Sequence, residues 1–97
     1  MSKSVIEVMV AEGAQAYNSR PEEYEWGLMV LHVEGIAKPV FGRFTSEMEG
    51  PDDWPTFEVV RRSVQTRELE HIEYPLIVDP ARIVALRYAD GEEISIM

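Results

Sequence analysis

The stretch from Tyr24 to Glu34 constrains the fold more than any other part of the chain. Its residues alternate, with Tyr24, Trp26, Leu28, Val30 and His32 on one side and Gly27, Met29, Leu31 and Val33 on the other. Side chains of a strand point alternately to its two faces, so a period of two predicts a strand here. Both sides are largely apolar, which predicts a strand buried on both faces at the centre of the fold. The rest of the chain must supply layers above and below it. With 97 residues in all, it does so as a single domain over 1–97.

Glycine and proline punctuate what surrounds this strand. Residues 4 to 10 read as a strand from their β-branched content, but the continuation Ala11 to Tyr17 leaves a helix from residue 4 equally open. Gly13 weighs against an unbroken helix, at about 1 kcal/mol relative to Ala. Asn18 to Glu23 is a loop, and Val33 to Pro39 turns the chain. Val40 to Ser46 is a second strand, with Phe41, Arg43 and Thr45 opposed to Val40, Gly42 and Phe44. The polar segment Glu47 to Pro55 is the clearest loop. Phe57 to Val64 resumes a strand, and Arg67 to Val78 forms another, bent or ended near Pro75. Asp79-Pro80 is a tight turn before the strand Arg82 to Tyr88. Asp90-Gly91 is the best hairpin signal and predicts a last strand over Glu93 to Met97. These elements predict a mainly β fold: a small antiparallel barrel or sandwich of five to seven strands, with a short N-terminal helix as the open alternative.

A strand, Gly35, Gly42, a polar loop, Phe57-x-Val59, a long bent strand and Ile83-x-x-Leu86 follow one another over residues 27 to 88. That order resembles the strand rhythm of Sm-like small β-barrels. The resemblance implies a small barrel and assembly into a ring. It does not extend to RNA binding, because the Asp/Asn signature for uridine and the Arg-Gly near the last strand are not evident.

Charge and composition narrow the function classes. The chain has no cysteine, which removes disulfides, thiolate catalysis and Cys-based zinc sites, and fits the cytoplasm. Glu7 interrupts the first apolar run, so a secretory signal is not expected. No stretch approaches the roughly 20 apolar residues that span a bilayer. Nine basic and 18 acidic residues give a net charge of −9, with most of the excess in the first 60 residues. Such a surface repels phosphate backbones.

No pattern of catalytic residues stands out. His32 and His71 each have nearby carboxylates, but strand alternation aligns His71 with Glu73 rather than Glu70, which reads as polar pairing. No His-x-x-x-His spacing occurs, and a metal site needs three or four converging ligands, which these two histidines do not announce. Lys38, between Gly35 and Gly42, lacks the ending of a phosphate loop, and no Gly-x-Ser-x-Gly occurs. The expectation is therefore a protein that is not an enzyme and holds no cofactor or metal. Trp54 lies in the acidic, proline-flanked loop, where it either folds back over the barrel end or anchors a partner, as Trp often does. Glu47, Glu49, Asp52 and Asp53 accompany it. Arg61, Arg62 and Arg67 form the one basic concentration, a candidate anion site if they are not paired with glutamates. Ile94 and Ile96, on the expected last strand, are candidates for self-association. The leading expectation is a non-enzymatic β domain that binds a protein partner or its own copies as a homo-oligomer. The alternatives are an acidic nucleic-acid mimic that inhibits a DNA- or RNA-handling protein, and a ring that binds a small anion. Direct binding to duplex DNA is not expected, because one Arg cluster falls short of the six to ten phosphate contacts of typical groove binders. Mobility-shift assays at micromolar protein and about 150 mM salt should show no complex, and a shifted band would overturn this.

Overall fold

The two-sided strand exists, but it is shorter than the alternation that predicted it. In the computed structural model, which describes residues 5–97, β1 spans Met29–Val33. Leu28, Met29, Val30 and Leu31 are all buried, while Tyr24 to Gly27 form a turn. There follow β2 (Val40–Glu49), β3 (Trp54–Arg62), β4 (Leu69–His71), β5 (Leu76–Ile77) and β6 (Ile83–Tyr88). Every pairing is antiparallel. The order is β4-β3-β2-β1-β6, with β5 also beside β3. The protein is thus mainly β, one six-stranded sheet preceded by a helix. Strand pairing does not close this sheet into a barrel: β4 and β6 are its two ends.

The ambiguous first segment is that helix, α1, over Val5–Ser19; Met1 to Ser4 lie outside the described residues. Gly13, an argument against an unbroken helix in the sequence, is what seats it. A Cβ at Gly13 would lie 3.2 Å from the Met29 Cε and 3.5 Å from the Phe44 Cβ. The propensity cost is outweighed because Ile6, Met9 and Val10 pack on a core of Met29, Leu31, Phe44, Phe57, Val78 and Ile83. These three are partly buried, so each contributes a share of the about 1.5–3 kcal/mol that full burial of such a side chain brings. Phe44 and Phe57 sit directly opposite each other on β2 and β3 and meet edge to face at 4.9 Å. Gly42 lets the strands come this close, since a Cβ there would collide with the Glu58 carbonyl oxygen and lie 2.6 Å from the Phe57 ring.

Alternation turns Arg43 to the opposite face, where it is fully buried. An unpaired charge there would cost several kcal/mol. Its Nη1 donates to the carbonyls of Arg20 (2.8 Å), Glu23 (3.2 Å) and, at the limit, Trp26 (3.5 Å). Its Nη2 donates to the Pro21 carbonyl at 2.7 Å and to the Glu58 carboxylate at 3.4 Å. Glu58 is its direct cross-strand neighbour. The rings of Tyr17 and Tyr24 stand 5.2 and 5.5 Å from the guanidinium. The segment 20–26 is therefore wrapped around one side chain.

The C-terminal segment corrects the sequence reading. Residues 93–97 were expected as a strand, but Glu93 to Ile96 belong instead to a helix, α2, over Gly91–Ile96. Asp90 is its N-cap. The Asp90 carboxylate accepts the Glu93 N–H at 2.8 Å, and the Glu93 carboxylate accepts the Asp90 N–H at 3.1 Å. This reciprocal capping box decides for a helix where Asp-Gly alone suggested a hairpin. Arg87 grips the same Glu93 carboxylate with two bonds of 2.5 and 2.7 Å. Ile94 and Ile96 are thus helical, and pairing of a C-terminal strand with a second copy loses its basis. Arg62 donates to the carbonyls of Ile94 (2.6 Å) and Arg67 (2.7 Å), tying α2 to the β3–β4 turn. The long strand expected over 67–78 is two short ones, β4 and β5, separated around Pro75. After β5, Asp79 caps a 3-10 turn, Pro80–Arg82.

Two outcomes follow from these contacts. Arg43→Leu strands the loop carbonyls of residues 20–26, so it should cost about 3–5 kcal/mol and lower the thermal midpoint by more than about 10 °C. An unchanged midpoint would show that the loop holds itself. For Glu93, the Arg87 guanidinium first and the Asp90 N–H second hold the carboxyl at about 2, below its ordinary 4.5. A depressed carboxyl stabilises the fold above its unfolded value and loses that contribution as it protonates. The stability difference between the native chain and Glu93→Gln should be constant above pH 5 and shrink as pH falls from 4.5 towards 2, as read from denaturant midpoints across pH.

Candidate functional site

Only four residues of the expected 47–55 loop are a turn. β2 runs to Glu49 and β3 begins at Trp54, leaving Gly50 to Asp53 between them. Gly50 (φ 79°) and Asp53 (φ 52°) take left-handed backbone, which Gly adopts freely and Asp tolerates. The Asp53 N–H closes the turn on the Gly50 carbonyl at 3.2 Å. Trp54 is consequently a strand residue opposite Glu49, half-buried rather than folded over a barrel end.

Trp54 stands between two adjoining depressions of about 550 and 320 Å³, and Ile77 of β5 lines both. In the larger one, Ile36 and Leu76 continue the apolar floor, and Glu34, Asp79 and Arg82 form the rim. In the smaller, Pro51 adds to the floor, and Glu49 and Asp52 form the rim. Ile77 is 50% exposed and Ile36 43%. An apolar strip thus lies between carboxylates at both ends. Arg82, the cation among these residues, already lies 3.8 Å from Asp79.

The structure brings together Trp54, Glu49 and Asp52 from the expected set and separates the others. Asp53 lines a different groove of about 790 Å³ between α1 and β2, and Glu47 lines none of the three. The arginines do not converge. Arg61 is exposed and pairs at 3.2 Å with Glu70 directly across from it. Arg62 is engaged with two carbonyls, and Arg67 sits in the turn with φ 66°. Ile77, Ile36, Glu34 and Asp79 were not singled out in the sequence. The short run Leu76-Ile77-Val78 between Pro75 and Pro80 is the one visible signal for Ile77, and it is too brief to show a period.

His71 ends β4, so Glu73 does not share a strand with it. Its Nδ1 instead lies 2.9 Å from the Tyr24 hydroxyl, with the rings 5.8 Å apart. Burial first, then the charge of Glu58, pushes the Tyr24 hydroxyl above its ordinary range. It therefore stays protonated near neutrality and can donate to a neutral imidazole. Among the described residues, no group of three or more His, Asp or Glu side chains is placed to hold a metal ion. Nor is any described helix long and apolar enough to cross a membrane. No protein-family model, curated protein or solved structure matches the chain.

Proposed function

We propose that the protein is a non-enzymatic interaction domain of the cytoplasm that contacts a partner protein through the face around Trp54 and Ile77. The observation that carries this reading is the placement of Trp54 itself. A large aromatic that served only the core would be covered, whereas this one is flanked by two depressions and by a half-exposed isoleucine. Aromatic anchors of this kind supply a disproportionate share of interface energy. The acidic-mimic alternative has less support. The carboxylates sit on several elements, α1 (Glu7, Glu12), the 20–26 segment (Glu22, Glu23, Glu25) and the β2–β3 hairpin, and some are engaged within the fold itself, Glu23 with Arg20 and Glu58 with Arg43.

Self-assembly is the second reading, and β6 favours it. This strand pairs only with β1, and neither Lys nor Pro guards its outer edge, where unpaired backbone groups invite another strand. Val84 lies at an irregularity in the β1–β6 register and is 68% exposed. The Sm-like strand rhythm is consistent with a ring built from such edges.

Trp54→Ala tests the leading reading. It should weaken partner association by about 2 kcal/mol or more while changing the melting temperature little. Calorimetric titration and thermal melts of the same sample check it. A large fall in melting temperature with undiminished association would make Trp54 a structural residue and sink the proposal.

A further inference from the structure

We infer that the Trp54–Ile77 strip accepts an extended segment of a partner protein, laid along β5, in which a bulky apolar side chain is flanked by lysines or arginines. This rests on reading that face as a protein contact. The first support is backbone geometry. The Val78 N–H donates to the Pro55 carbonyl at 2.9 Å, and Ile77 stands opposite Thr56 in the next position of the register. Antiparallel partners alternate between bonded and non-bonded pairs. Ile77 therefore belongs to a non-bonded pair, and its N–H and C=O point away from β3. β5 thus presents a donor and an acceptor to an added strand, a common mode of peptide capture.

Side chains and charge then select the segment. Depressions on both sides of Trp54 offer apolar floors beside that edge. Their rims carry Glu34, Glu49, Asp52 and Asp79, with Arg82 close to Asp79. The complement of this pattern is an apolar anchor between cations. A second copy of the chain is a poor complement. It carries −9 overall with only two lysines, and on β6 and its approach Arg87 is held by Glu93 while Arg82 lies beside Asp79. Rim charges of this kind set specificity and encounter rate more than total affinity.

The test uses the full chain carrying Trp26→Phe, so that Trp54 is the one reporting indole. The probe is a capped nine-residue peptide of serine and threonine with one central leucine and two lysines on each side. Trp54 emission should shift on titration, and the lysine peptide should bind at least tenfold more tightly than its glutamate counterpart. Asp52→Asn combined with Glu49→Gln should reduce that preference at least threefold, as should added salt. N-methylation of the peptide backbone around the leucine should weaken binding at least tenfold. Equal affinity for the two peptides, or undiminished binding after N-methylation, overturns the inference. A photo-crosslinking benzoylphenylalanine in place of Ile77, used in the source cells, separates this failure from that of the parent reading. A captured segment that is apolar and basic supports both. One that is acidic, or that comes from a second copy, overturns the inference and leaves the contact surface standing. No crosslinked protein at all overturns both.

Discussion

The guanidinium of Arg43 is the constraint around which the molecule is arranged. It is fully buried on the face of the sheet opposite the phenylalanine core. Its donors reach carbonyls on a segment that follows α1 and precedes β1, and a carboxylate on β3. One side chain thereby joins the helix exit, the central strand's approach and two strands of the sheet. The usual argument that a hydrophobe can replace a buried ion pair with little loss applies poorly here. The groups left behind would be backbone carbonyls, and those cannot be removed by substitution. The network also positions Tyr24 over β4, where its hydroxyl meets His71.

The two faces of the sheet are consequently covered by different means. Hydrophobic packing of α1 covers one, and a polar-centred wrap of irregular chain covers part of the other. Neither cover lines the depressions around Trp54 and Ile77. That strip is exposed because β5 is only two residues long and is followed at once by a capped 3-10 turn. A short edge strand of this kind limits indiscriminate association, yet it leaves one backbone donor and acceptor available. The charged rim adds selectivity to a contact whose apolar area is modest.

The legibility of this fold in its sequence varied with the physics involved. The central strand was readable because its period of two survives in the residue types themselves. The core residues Phe44 and Phe57 fell on strands for the same reason. Arg43 was placed on a strand face but given no role, because its partners are carbonyls and carbonyls leave no trace in residue identity. Gly13 left strand and helix open in the sequence because propensity describes an isolated helix, whereas here the missing side chain is what admits Met29. Asp90-Gly91 reads as a hairpin turn in the sequence, but the same pair fits a helix start, and Glu93, three residues beyond Asp90, decides for the helix. Trp54, Glu49 and Asp52 were found together because they are neighbours in sequence. Ile77 and Glu34 were missed because only the tertiary register brings them to the same strip.

Arg62 has a consequence for how the chain comes apart. Its two bonds couple the last helix of the chain to the turn between β3 and β4, some thirty residues earlier. A helix of six residues would ordinarily be marginal by itself. Here fraying withdraws the Ile94 carbonyl from a guanidinium whose Nε is buried without a partner among the described residues. Loss of the helix therefore loosens residues 63–68 as well. On this coupling, α2 and this turn would open together and share their protection against amide exchange.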